Sequence, residues 1–108
     1  MREQKNIKLF QNSPSGVGGS VYFIGIGGIG MSAIARYFKS RGAIVSGYDK
    51  TITQLTRELE AEDIDVHFDE DVNMIPKDVD VVVYTPAIPA EHEELVYYKE
   101  NNYTVVKR

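Results

Sequence analysis

The chain contains no cysteine, which excludes disulfides, thiolate metal sites and thiol catalysis and says nothing of compartment. Basic charge is also scarce. Twelve Lys and Arg stand against 16 Asp and Glu, a formal net charge of -4, whereas nucleic-acid binding needs a concentrated basic surface. An anion bound by this chain is therefore expected to be held by backbone amides rather than by a lysine-arginine patch. No apolar run reaches the roughly 18 residues that suggest a membrane span. The N-terminus is polar and lacks the apolar core of a secretory signal. A cytoplasmic location is the default expectation.

What is present suits one soluble α/β domain. The 108 residues are 43% hydrophobic and 26% charged, enough for a single core but short for a complete nucleotide-dependent enzyme. Residues 1–20 read as a polar leader ending in a Ser/Pro/Gly-rich stretch, although Ile7, Leu9 and Phe10 could pin part of it. From Val21 the pattern is regular. Val21 to Ile26 is an apolar run suited to a strand buried on both faces. Met31, Ile34, Ala35 and Phe38 form the stripe of an amphipathic helix, closed by Gly42.

Ala43 to Tyr48 is expected as the second strand. A capping box at Thr51-Ile52-Thr53-Gln54 should start a helix that buries Ile52, Leu55 and Leu59. Ile64 to Phe68 is a short third strand, and Asp69 to Asp78 has room for about a turn of helix. Val79 to Tyr84 is a β-branched fourth strand, and Thr85 to Pro89 a proline-bounded loop. A helix from about Glu91 to Asn101 and a strand from Thr104 to Val106 complete the alternation. The expected fold is a Rossmann-like three-layer sandwich with a five-stranded, mainly parallel sheet over residues 21–108.

The chemistry centres on Gly25-Ile26-Gly27-Gly28-Ile29-Gly30-Met31-Ser32. A strand feeding a glycine turn and then a helix is a phosphate cradle, because helix N-terminal amides and the helix dipole attract anions. Gly25, Gly27 and Gly30 match G-x-G-x-x-G, and Asp49 follows Gly30 by 19 positions at the end of the next strand. That context fits a nucleotide-binding unit. Asp49 could accept from ribose or base, or could simply cap a helix. Tyr48 could stack on a base or only pack. Thr85 and its loop would lie in the ligand crevice, or the prolines merely steer a connection.

His67 and His92 lack metal-ligand spacing and read as surface or partly packed residues. Glu58, Glu60, Glu62 and Asp63 read as a solvated helix face, and Asp69, Glu70 and Asp71 as a polar loop. Tyr97, Tyr98 and Tyr103 read as packing. No catalytic constellation is visible, so the chain is expected to bind rather than react.

The run Tyr22 to Ala35, YFIGIGGIGMSAIA, closely resembles the opening of the Mur ligases, specifically the branch that joins L-alanine to UDP-N-acetylmuramate in peptidoglycan synthesis. IVSGYD (Ile44 to Asp49) is similar to that family's VSGSD, with Tyr48 in place of the common serine. TQLTRELEAEDIDVHF and TPAIPAEHEEL follow the same order. The resemblance implies three domains in the complete enzyme, of which this chain is the UDP-binding first, without the central ATPase and C-terminal domains.

It further implies that Gly27, Gly28, Ile29, Gly30, Met31 and Ser32 hold the diphosphate of UDP-N-acetylmuramate. Tyr48, Asp49, Lys50, Thr85, Pro86, Ala87 and Ile88 would receive the uridine. ATP and Mg2+ would activate the muramoyl carboxylate as an acyl phosphate for attack by L-alanine, in the domains this chain lacks. No G-x-x-x-x-G-K-[ST] occurs here, so ATP turnover is not expected of these residues. The competing reading is an NAD(P)-binding module of a dehydrogenase or regulatory protein. It shares the glycine turn and Asp49 but not the GGIGMS and TPAIP pair.

Overall fold

The structure is a computed structural model and describes residues 19–108. The expected leader lies outside the described residues, apart from its last two positions. Among the described residues, five strands and three helices follow one another, alternating except between β3 and β4: β1 (Ser20–Ile24), α1 (Ile29–Ser40), β2 (Ile44–Tyr48), α2 (Gln54–Ala61), β3 (Asp65–His67), β4 (Val81–Tyr84), α3 (Glu93–Glu100) and β5 (Val105–Lys107). The sheet order is β3-β2-β1-β4-β5. Every pairing is parallel, not merely most of them.

β1 is central and all five of its residues are buried, which is why it reads as an unbroken apolar run rather than an alternating one. Its side chains still alternate between faces. Val21 and Phe23 join Met31, Ala35, Leu59 and Val66 in one core. Tyr22 and Ile24 join Tyr48, Val82, Leu95 and Tyr98 in the other. The sheet is thus covered on both faces, α1 and α2 on one and α3 on the other.

Several boundaries differ from the sequence reading. β1 starts at Ser20 and ends at Ile24, because the amides of Gly25 and Ile26 leave the ladder and both donate to Tyr48 O, at 2.7 and 2.9 Å. The α2 capping box sits two residues later than expected: the Thr53 side chain accepts from the Thr56 amide and the Thr56 hydroxyl from the Thr53 amide. Ile52 therefore falls before the helix and is 56% exposed instead of facing the core. The 69–78 connection forms turns without a helix. β4 begins only at Val81 and β5 at Val105. α3 begins at Glu93 with His92 as its N-cap.

Candidate functional site

Walking outward along the sheet, β2 lies on one side of β1 and β4 on the other, so the chain reverses its winding between β1 and β4. Ligands of open α/β sheets bind at the carboxyl ends of the strands flanking such a reversal. A cleft of about 610 Å³ opens there, walled by the glycine turn, the end of β2, the Thr85 loop, Glu70, His92 and Arg108.

The glycine turn is shaped by close approaches. Gly25 has φ +94°, and a Cβ on it would collide with the Thr85 methyl, so the crossing from β1 to the turn is open only to glycine. A Cβ on Gly27 would lie 2.8 Å from Asp49 Oδ2 and 2.9 Å from Thr56 Cγ2. Gly28 differs. Its added Cβ would meet nothing nearer than 3.7 Å, an ordinary contact, and Gly28 lines the cleft. Gly28 is the N-cap of α1 with no side chain to satisfy the first amides.

An α-helix leaves its first N–H groups without intrahelical acceptors. Here these are the amides of Ile29, Gly30 and Met31. The next one, Ser32, already donates to Gly28 O at 2.8 Å. Among the described residues these amides have no acceptor, and with the positive end of the helix dipole they lie beside the cleft. Arg108 adds a second positive element. Its amide donates to Tyr84 O at 2.8 Å, and its guanidinium overlies Gly30, where a Cβ would strike it. With Lys50 also on the wall, the amides are not the only anion-attracting groups, contrary to expectation from the overall charge.

The expected diphosphate residues thus divide. Gly28, Ile29, Gly30 and Met31 line the cleft. The Gly27 amide instead donates to Asp49 Oδ2 at 2.8 Å, and the buried Ser32 hydroxyl to Ile29 O at 3.0 Å. Among the expected uridine residues, Tyr48, Asp49, Lys50, Thr85, Ala87 and Ile88 line the cleft, while Pro86 lies off its wall. Asp49 does not cap α2. Its Oδ1 accepts from the Thr51 amide at 3.1 Å while Oδ2 holds the turn, so the carboxylate ties the end of β2 to the glycine loop. Each oxygen retains one lone-pair direction for a ligand hydroxyl.

Tyr48 is packed, at 6% exposure, with His92 edge-on to it at 4.7 Å between centroids. Burial pushes its hydroxyl above the ordinary tyrosine range, with Glu70, Glu94 and Asp49 adding to the effect. The histidines are more embedded than their spacing suggested. His92 is 2% exposed. His67 Nε2 lies 2.7 Å from Glu94 Oε2, and Glu94, fully buried, also accepts from the Tyr22 hydroxyl at 2.6 Å. Burial first, then Glu94, drives the Tyr22 hydroxyl far above its ordinary value of 10.0.

His92, Glu70 and Arg108 were not legible as cleft residues. Their only sequence signal is position: His92 starts the helix after the proline loop, and Arg108 follows the strand beside β4. Among the described residues, no group of three or more His, Asp or Glu could hold a metal ion.

The profile of the Mur ligase family, catalytic domain, matches residues 20–108. The chain is 59% identical over 93 residues to the UDP-N-acetylmuramate–L-alanine ligase of Porphyromonas gingivalis, covering 82% of this chain and 20% of that protein. It is 56% identical over 93 residues to the enzyme of the same name from Flavobacterium johnsoniae, covering 82% of this chain and 21% of that protein. Among solved structures, the UDP-N-acetylmuramate–alanine ligase of Thermotoga maritima superposes with TM-score 0.79 at 30% identity, over 83% of this chain and 21% of that one. A murein peptide ligase of Psychrobacter arcticus shares the fold, with TM-score 0.74 at 20% identity, over 82% of this chain and 18% of that one. The chain spans about a fifth of the length of the relatives it matches. Over that fifth, fold and sequence agree, and the chain belongs to the Mur ligase family.

Proposed function

We propose that this chain is the substrate-binding N-terminal domain of an ATP-dependent ligase that joins L-alanine to UDP-N-acetylmuramate, a cytoplasmic step of peptidoglycan synthesis. The observation that carries the reading is the row of amides at Ile29, Gly30 and Met31, without acceptors among the described residues, in the switch-point cleft that Gly28 also lines. These groups would take the diphosphate, with Arg108 and Lys50 supplying countercharge. The uridine would lie toward Tyr48, Asp49, Thr85, Ala87 and Ile88, its ribose within reach of the Asp49 carboxylate. Gly27, Ser32 and Pro86 would act by shaping the turn and the loop rather than by touching the ligand.

The NAD(P)-binding alternative uses the same turn, but the relatives reported above are all named ligases. The catalytic part is proposed to lie in residues outside this stretch, which would supply the ATP and Mg2+ sites, L-alanine binding and acyl-phosphate chemistry. This domain would hold and orient one substrate. Calorimetric titration with UDP-N-acetylmuramate, UDP and NADH tests the reading. Both uridine nucleotides should bind more tightly than NADH, and the reverse order overturns it.

A further inference from the structure

His92 carries an unusual unmet demand. It is 2% exposed, and its Nε2 is buried with no hydrogen-bond partner among the described residues. Its Nδ1 accepts from the Glu94 amide at 3.3 Å. A ring that accepts through Nδ1 carries its proton on Nε2, so the orphaned atom is a donor. A buried donor left without an acceptor is costly, and native proteins keep few of them unless something fills the gap. His92 is on the cleft wall, held edge-on by Tyr48.

Beside it stands an acceptor. Glu70 Oε2 lies 3.9 Å from His92 Nε2, too far for a direct hydrogen bond. The other carboxylate oxygen of Glu70 is fixed by the Glu93 amide at 3.0 Å. Glu70 also lines the cleft. The wall of the crevice therefore holds a donor, closed to solvent in the free chain, beside an acceptor, both positioned by the start of α3.

We propose that His92 and Glu70 read the imide edge of the uracil ring and set the base specificity of this domain. The inference rests on the proposed uridine site. His92 Nε2–H donates to a ring carbonyl, and Glu70 accepts from the adjacent ring N3–H. Cytosine has an acceptor at N3, which would face the Glu70 carboxylate with no proton between them. The pair thus selects uracil by matching its edge and by repelling the edge of its nearest analogue.

Calorimetric titration of the chain with UDP and CDP tests this. The wild-type chain should bind UDP about ten- to a hundredfold more tightly than CDP, the range expected when a buried polar group loses its partner. In Glu70→Gln the amide oxygen can stay on the Glu93 amide and turn the NH2 toward the base. The UDP-to-CDP ratio should then fall at least about tenfold. His92→Phe keeps a ring but removes the donor together with the Nδ1 acceptor of the Glu94 amide, and should weaken UDP by about tenfold. Circular dichroism checks its folding, and if it fails to fold, Glu70→Gln decides alone, since Glu70 is a partly exposed loop residue. Equal wild-type affinities for UDP and CDP overturn the base-reading pair while leaving nucleotide binding intact. So does a ratio unchanged in Glu70→Gln. If neither nucleotide binds, the proposed function falls and this inference falls with it.

Discussion

Gly25 and Gly28 stand three positions apart in the same turn, and their glycine identities have different causes. Gly25 needs a positive φ of 94° and has no room for a Cβ beside Thr85. Gly25→Ala should lower stability by about 1–3 kcal/mol through backbone strain, read as a shifted urea midpoint. Gly28 has ordinary extended backbone, where an added Cβ would make only ordinary contacts, and it lines the cleft, so its lack of a side chain serves the cleft. Gly28→Asp should fold normally and lose UDP binding, because the carboxylate would occupy and repel the diphosphate position. A Gly28→Asp chain that melts like wild type and binds UDP unchanged would show the cradle is elsewhere. G-x-G-x-x-G marks both residues alike and cannot separate these roles.

Secondary elements were legible where period and composition agreed, and blurred where tertiary hydrogen bonds decided the ends. β1 reads from its apolar run, but its end at Ile24 depends on Tyr48 O, which captures the next two amides. α2 shows the same limit. The sequence reading began the capping box at Thr51, whereas the reciprocal bonds between Thr53 and Thr56 put the cap at Thr53. Thr53→Ala should therefore cost about 1 kcal/mol in chemical denaturation, whereas Thr51→Ala should cost only tenths. Equal losses would contradict the cap assignment. The buried His92 and Glu94 were hidden for a related reason. An acidic helix start looks solvated in sequence, and nothing in spacing shows that Tyr22 and His67 reach across from the sheet to one of its carboxylates.

At the scale of the whole molecule, the alternation of strand and helix fixes a parallel sheet, and the order β3-β2-β1-β4-β5 fixes where the crevice opens. That order brings Asp49, Thr85 and the glycine turn together, as the strand ends predicted. It also brings in Glu70 and Arg108, from connections too irregular to place by pattern. The second core is rich in tyrosine, and this gives the fold an alkaline limit. Burial raises the hydroxyls of Tyr22 and Tyr98 well above their ordinary value of 10.0. Above about pH 10 the unfolded chain releases protons that the folded chain keeps, so stability is whole below that pH and falls as pH rises through it. Denaturation monitored by circular dichroism should show this decline together with the rise of tyrosinate absorbance. Constant stability well above pH 10 would contradict it.

The central claim is that the start of α1 holds a diphosphate. Amide-resolved NMR titration of the chain with UDP tests it most directly, because it reads the very groups invoked. The largest shifts should fall on the amides of Ile29, Gly30 and Met31, with smaller ones at Asp49, Thr85 and Ile88. The Gly27 amide, held by Asp49, should move less than these three. Saturating UDP that leaves Ile29 to Met31 unmoved, or shifts concentrated away from this cleft, would contradict the account.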